Sequence, residues 1–138
     1  MRVTRVLHAS VNTNRDLEAS VSFYRQVLGL CETDRPDIPG VPGAWFAVGG
    51  VELHLVGSAP LGVALDPGAH HVCFAVDDLD AAVAELEAFS IAFVTGEQHQ
   101  AHGVVRQVWV TDPVGNVVEL QQDSEATPAL GSDEPIRR

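Results

Sequence analysis

The stretch Asp16-Leu17-Glu18-Ala19-Ser20-Val21-Ser22-Phe23-Tyr24-Arg25-Gln26-Val27-Leu28-Gly29, which starts eight residues beyond His8, is the one from which the architecture can be read. Leu17, Val21, Tyr24 and Leu28 recur at steps of three and four and make one apolar face, with Glu18, Arg25 and Gln26 off it. Asp16 offers an N-cap and Gly29 a stop, so the spacing predicts a helix over Leu17–Leu28. Before it, Val3–Val11 is rich in β-branched and aliphatic residues and reads as a strand. After it, Cys31–Gly43 carries Pro36, Pro39 and Pro42 and reads as a surface loop. Ala44–Val48 and Val51–Val56 then flank Gly49-Gly50 as two short strands of a hairpin.

Beyond a Gly-, Pro- and Ser-containing linker, Gly57–Gly68, the same order begins again. His71–Val76 reads as a strand, Asp78 caps a helix over Leu79–Phe89, and Ile91–Val94 and Val104–Val110 read as strands. Asp112-Pro113-Val114-Gly115-Asn116 is a turn, and Val117–Gln121 ends the sheet. The starts of the two halves match, His8 with Asp16-Leu17 and His71 with Asp78-Leu79. So do their ends, Val48-Gly49-Gly50-Val51-Glu52-Leu53 and Val114-Gly115-Asn116-Val117-Val118-Glu119-Leu120, and the His-to-Glu separations are 44 (8 to 52) and 48 (71 to 119). Such a repeat implies an internal pseudo-twofold axis with His8 opposite His71 and Glu52 opposite Glu119. The expected fold is α+β: two tandem βαβββ modules, 1–60 and 68–125, forming a curved mixed sheet around a metal-capable cavity with the helices outside. Residues 1–125 would make one domain, and the acidic residues 126–138 a flexible tail.

A chain of 138 residues is long enough to bury a core without disulfides. Cys31 and Cys73 stand alone, outside any CxxC spacing, and read as small buried or half-buried thiols. The net charge is -11 and all eight basic residues are Arg, which argues against nucleic acid or an anionic membrane as partner. The lack of Lys excludes a Schiff-base lysine and a phosphate loop ending in Gly-Lys-Ser/Thr. No stretch approaches the roughly 20 apolar residues of a membrane span. Met1–Leu7 lacks the apolar core of a signal peptide, so cytoplasmic residence is expected.

Strand parity locates the chemistry. With Val51, Leu53 and Leu55 on the buried face, Glu52 and His54 share the other, and likewise Glu119 and Gln121 oppose Val118 and Leu120. In a curved sheet that second face lines a cavity. Two imidazoles and two carboxylates converging there, His8, Glu52, His71 and Glu119, suit one divalent metal, whether Ni, Zn, Mn, Co or Fe, and leave open positions for substrate. Singly, each would more often be a hydrogen-bonded structural group; it is their register across the repeat that favours the metal. His54 has three readings: a ligand in place of Glu52, an acid or base titrating near neutrality, or, the favoured one, a hydrogen-bonding group in contact with substrate. His70 reads as structural, and His99 and His102 as solvent-exposed in a polar loop. Trp45, Phe46 and Trp109 are candidates to stack on a ligand, with core aromatics as the alternative. Arg106 would meet an anionic substrate or, more ordinarily, form a surface ion pair.

Leu7-His8 with the helix that follows, His71-Val72-Cys73-Phe74-Ala75-Val76-Asp77-Asp78-Leu79, and Asp112-Pro113-Val114-Gly115-Asn116-Val117-Val118-Glu119-Leu120 together resemble the vicinal oxygen chelate superfamily over about residues 3 to 122. This superfamily comprises glyoxalase, bleomycin-resistance and ring-cleaving dioxygenase relatives. The resemblance implies metal positions at His8, Glu52, His71 and Glu119, a set similar to that of bacterial metal-dependent glyoxalase I. Asn12 stands where that enzyme carries the Arg that holds the glutathione carboxylate, which makes Asn12 a substrate-side position and argues against a glutathione adduct.

The leading expectation is therefore a metal-dependent lyase or isomerase acting on a small substrate with adjacent oxygens. The metal would serve as Lewis acid and Glu119 or Glu52 as general base. The alternatives are a protein that sequesters an antibiotic or other natural product, and an Fe(II) ring-cleaving dioxygenase using His8, His71 and Glu119. The resemblance also implies a homodimer.

Overall fold

The structure is a computed structural model, and it describes residues 1–14, 16–111, 113 and 115–125. Its elements are β1 (Val3–Asn12), α1 (Leu17–Ser22) continuing into a π-helical turn (Phe23–Val27), β2 (Cys31–Thr33), β3 (Gly43–Val48), β4 (Val51–Val56), β5 (His71–Val76), α2 (Leu79–Ala88), β6 (Val94–Gln100), β7 (Gly103–Thr111) and β8 (Val117–Gln122). All eight strands share one sheet in the order β2-β3-β4-β1-β5-β8-β7-β6. Read from the centre, that order is the same in both directions. β1 pairs with β4 in parallel and β5 with β8 in parallel, while β1 and β5 meet antiparallel at the middle. The two βαβββ modules thus join within one chain, curling into a half-barrel around a cleft of about 1820 Å³.

The apolar residues form two clusters, one under each module. Phe46, Ala44 and Leu55 are buried with Leu17, Val21, Tyr24 and Leu53 packed against them. Val76, Leu79, Ala82, Leu86, Val108 and Leu120 make the second cluster between α2 and the sheet. α2 begins as expected: the Asp78 side chain accepts from the Ala81 N–H and satisfies one of the helix's orphan donors.

Three sequence expectations are corrected. Asp16 makes no side-chain cap, and the first helix gives way to the π-helical turn after Ser22. The wider turn rotates Leu28 out of the apolar stripe, leaving it 52% exposed. The supposed loop Cys31–Gly43 contains β2 and contributes Gly43 to β3. The third correction is larger: the strand expected at Ile91–Val94 starts only at Val94 and runs through the polar stretch to Gln100, so that His99 lies on a strand, though exposed as expected. β6 is an edge strand with one face to solvent and the other to the cleft. Its alternation of Thr95, Glu97 and His99 with Gly96, Gln98 and Gln100 therefore offers no apolar face for a pattern to show. The turn at 112–116 lies partly, and residues 126–138 wholly, outside the described residues.

Candidate metal centre

The centre is assembled from the three central strands. His8 on β1, His71 on β5 and Glu119 on β8 are all buried. Glu119 Oε2 lies 3.1 Å from His8 Nε2 and 2.9 Å from His71 Nε2, and the two Nε2 atoms are 3.4 Å apart. Three potential ligand atoms thus close on one point.

The tautomer of His71 decides what that point requires. Its Nδ1 is 2.7 Å from the Ala69 carbonyl, which can only accept, so Nδ1 carries the proton and a neutral ring presents a lone pair at Nε2. That lone pair faces a carboxylate oxygen at 2.9 Å. Two acceptors at this distance need a second proton on the ring or a cation between them. A divalent metal meets the requirement, and the donor set of two imidazoles and a carboxylate fits one.

Glu119 is held on both sides. Its Oε1 accepts from the side-chain amides of Gln107, at 2.9 Å, and Gln121, at 2.8 Å. Burial opposes its ionisation, but when no cation lies between them a proton on the His71 or His8 nitrogen facing Oε2, followed by the His8 charge and the Gln121 amide, outweighs burial and holds the carboxyl well below the usual range. Gln107 escaped sequence reasoning; its step of two from Trp109 on one strand was the available signal.

Cys73, read from sequence as a small buried or half-buried thiol, is fully buried and lies in the same place: the ligand atoms of His8, Cys73 and Glu119 fall within 4.8 Å of one another. Burial pushes its pKa up, and the charge of Glu119 and a hydrogen bond with it push it further in the same direction. The thiol is thus kept protonated beside the carboxylate, which makes it a poor ligand next to the imidazoles.

The fourth position differs from the sequence alignment. β1 and β5 pair His8 with Cys73 and Ser10 with His71, so the pseudo-twofold axis passes between these rungs and exchanges His8 with His71 and Ser10 with Cys73. Ser10 pairs with His54 on β4, and Cys73 with Glu119 on β8; Trp45 pairs with His54, and Trp109 with Glu119. By register it is His54, not Glu52, that stands where Glu119 stands in the second module, and the expected opposition of Glu52 to Glu119 is corrected. The reason is the hairpins: one closes at Val48 and Val51, the other at Thr111 and Val117, and this difference shifts the matched Gly-containing ends against the strands.

His54 is stacked between Trp45 and His8, each with ring centroids 3.9 Å away and interplanar angles of 3° and 20°. Its buried Nε2 lacks a hydrogen-bond partner among the described residues. Burial drives its pKa down to about 2, helped by His8, His71 and Arg35 against the pull of Glu119. It is therefore a neutral ring with an unused nitrogen, and the reading of His54 as an acid or base near neutrality is set aside. Glu52 shares the cleft with its side chain 41% exposed, its carboxylate 3.7 Å from His54 Nε2 and 3.4 Å from Thr33 Oγ1.

The remaining sequence candidates separate. Trp45 and Trp109 line the cleft, and the Trp109 Nε1 is buried without an acceptor among the described residues. Phe46, next to Trp45 in the strand, faces the opposite way and is 0% exposed in the core, because successive side chains of a strand cannot share a face. Asn12 is not a free substrate contact: its amide donates to the Ser58 and Gly68 carbonyls and its oxygen accepts from the Asn14 N–H, tying the linker to β1. Arg106 pairs with Asp80 at 2.7 Å on the surface. His70 and His102 are exposed.

Comparison with known proteins bears on the family and the fold. The sequence model of the Glyoxalase/Bleomycin resistance protein/Dioxygenase superfamily matches residues 5–120. The chain is 27% identical over 125 residues to Glyoxylase I 4 of Arabidopsis thaliana, covering 87% of this chain and 71% of that one. It is 35% identical over 133 residues to the mitochondrial methylmalonyl-CoA epimerase of Mus musculus, covering 88% and 74%. Among solved structures, a Streptomyces coelicolor methylmalonyl-CoA epimerase variant in complex with 2-nitronate-propionyl-CoA superposes with a TM-score of 0.69 at 23% identity, over 92% of this chain and 100% of that one, a likeness of fold. These relatives carry the names of enzymes. The chain belongs to the Glyoxalase/Bleomycin resistance protein/Dioxygenase superfamily.

Proposed function

We propose that the chain is a metal-dependent isomerase or lyase acting on a small substrate with adjacent oxygens. His8, His71, Glu119 and His54 would hold the metal. The observation that carries the reading is the lone pair of His71 aimed at a carboxylate oxygen 2.9 Å away, with His8 on the same point; His54 joins them by holding the register position of Glu119 in the first module with an unused nitrogen. When bound there, a divalent metal supplies a Lewis acid for charge developing on substrate oxygen.

The chain's own residues divide the remaining work. Glu119, with hydrogen-bonding groups on both oxygens, is fixed in place and suits anchoring. Glu52, half exposed and loosely held by Thr33, is free to take a proton from a substrate carbon and return it, which makes it the proposed general base. Gln107 and Gln121 keep Glu119 oriented. The names of the Arabidopsis and mouse relatives, an enzyme of the glyoxalase I type and an epimerase, support this class.

The test is proton exchange at carbon. Metal-reconstituted protein is offered 2-hydroxy acids, 2-oxoaldehyde hemithioacetals and 2-methyl-branched acyl thioesters in D2O, and loss of the α-proton signal is followed by NMR. Exchange on one class, reduced at least about 100-fold in Glu52→Gln with metal content unchanged, is expected, since general-base catalysis contributes roughly 10²–10⁴-fold. Metal-loaded protein that exchanges none of them, yet consumes oxygen with catechols under Fe(II), would overturn the reading in favour of ring cleavage.

A further inference from the structure

Three arginines among the described residues line the cleft, and two are neutralised: Arg5 by Asp123 and Glu125, Arg106 by Asp80. Arg35, in the loop between β2 and β3, differs. Its guanidinium donates through Nη2 to the Val41 carbonyl at 2.6 Å and through Nη1 to the Pro36 carbonyl at 3.5 Å, while its buried Nε–H has no acceptor among the described residues. A guanidinium has five N–H donors, and here only uncharged carbonyls take any of them. Asp37 is near enough to be felt electrostatically, but no described carboxylate lies within ion-pair distance.

The position is a built one. A Cβ on Gly43 would first run into the Leu55 carbonyl oxygen and would then come within 3.1 Å of Arg35 Nε and 3.2 Å of its Nη2, so the glycine that the strand pairing already requires also leaves room for the guanidinium on the cleft face of β3. Trp45, two residues along that face, leads through His54 to His8 by ring stacking. β3 stands two strands from β1 in the sheet, and Arg35 lines the same cleft as His8, His71 and Glu119, to one side of the metal centre. A half-buried, unpaired cation in a chain of net charge -11 is a demand for an anion, and a guanidinium edge suits an oxyanion.

We propose that Arg35 is a specificity-determining residue, and that the substrate carries an oxyanion, a carboxylate or a phosphate, remote from the adjacent oxygens that face the metal centre. This inference deepens the proposed function and rests on it for the metal end; the anion end is tested separately. Arginine Nε–H resonances are recorded by 15N-edited NMR, in protein as purified and after Zn(II) loading, during titration with succinate, inorganic phosphate and neutral succinamide.

The Arg35 resonance, identified by its loss in Arg35→Lys, is expected to shift with succinate or with phosphate and to stay still with succinamide. Whichever anion binds more tightly names the source. Arg35→Gln, checked by its melting temperature, is expected to weaken that anion at least about tenfold, and Arg35→Lys, which keeps the charge and loses the planar edge, by less. An Arg35 resonance unmoved by both anions, or moved no more than those of Arg5 and Arg106, would overturn the proposal. Because the readout needs neither metal nor turnover, it can fail with the metal centre intact, and it can succeed if the metal reading fails.

Discussion

His54 has one flat side on Trp45, the other on His8, and a nitrogen that nothing among the described residues satisfies. A buried polar atom without a partner costs about 1–3 kcal/mol, and a ring so tightly stacked cannot swing away to relieve it. Coordination would relieve it. His54→Ala is accordingly expected to lower metal affinity at least about tenfold, read by competition with a chromogenic chelator, whereas Glu52→Gln leaves affinity near that of the native chain. The opposite order would return Glu52 to the ligand set. At this scale the convergence of His8, His71 and Glu119 was legible in sequence, because the repeat matches His8 with His71 and strand parity turns Glu119 toward the cleft. His54 in place of Glu52 was one of three readings and not the favoured one, because its equivalence to Glu119 depends on strand register, which two unlike hairpin turns conceal. Arg35 escaped for another reason, since a loop residue has no periodicity to betray where its side chain goes.

Among the elements, β3 shows how alternation partitions roles. Trp45 lies in the cleft and Phe46 in the core, so adjacent aromatics that looked like one stacking platform serve two sides of a sheet. Phe46→Ala is expected to cost about 3–5 kcal/mol in urea unfolding, with bound metal unchanged where the variant is folded. A cost under about 1 kcal/mol together with a change in metal content would mean that Phe46 belongs to the site after all. β6 shows the limit of pattern reading: solvent on one face and a polar cleft on the other leave a strand with no hydrophobic signature. The π-helical turn after Ser22 is likewise invisible, because the residues that make it are those of an ordinary amphipathic helix.

For the whole molecule, the pair of βαβββ modules related by a pseudo-twofold axis was legible from the repeat, while β2, the strand order and the pairing of β1 with β5 within one chain required the structure. The end of the sheet is tied back to its beginning by Asp123, which accepts from Thr4 Oγ1 at 2.5 Å, the Glu125 N–H at 2.9 Å and both Nε and Nη2 of Arg5 at 3.3 Å. The hydrogen bond from Thr4, then that from the Glu125 backbone, with Arg5 adding to them against burial, holds the Asp123 carboxyl below its ordinary value. A lowered folded-state pKa means stability that is present above the unfolded carboxyl range, about pH 4, and lost as pH falls through the lower folded value. The melting temperature of Asp123→Asn is therefore expected to lie below that of the native chain at pH 7 and to converge on it toward pH 3. A gap that persists unchanged at pH 3 would assign the effect to shape rather than charge.

On the proposed reading His8, His71 and Glu119 hold a divalent metal. Elemental analysis of untagged protein, purified without chelators and then offered Ni(II), Mn(II), Fe(II), Co(II) or Zn(II), tests it most directly beside a His8→Ala/His71→Ala/Glu119→Gln variant shown to be folded. Close to one metal per native chain, lost in the variant, is the predicted result. A native chain that takes up none of the five ions, or a variant that binds as much as the native chain, would contradict it.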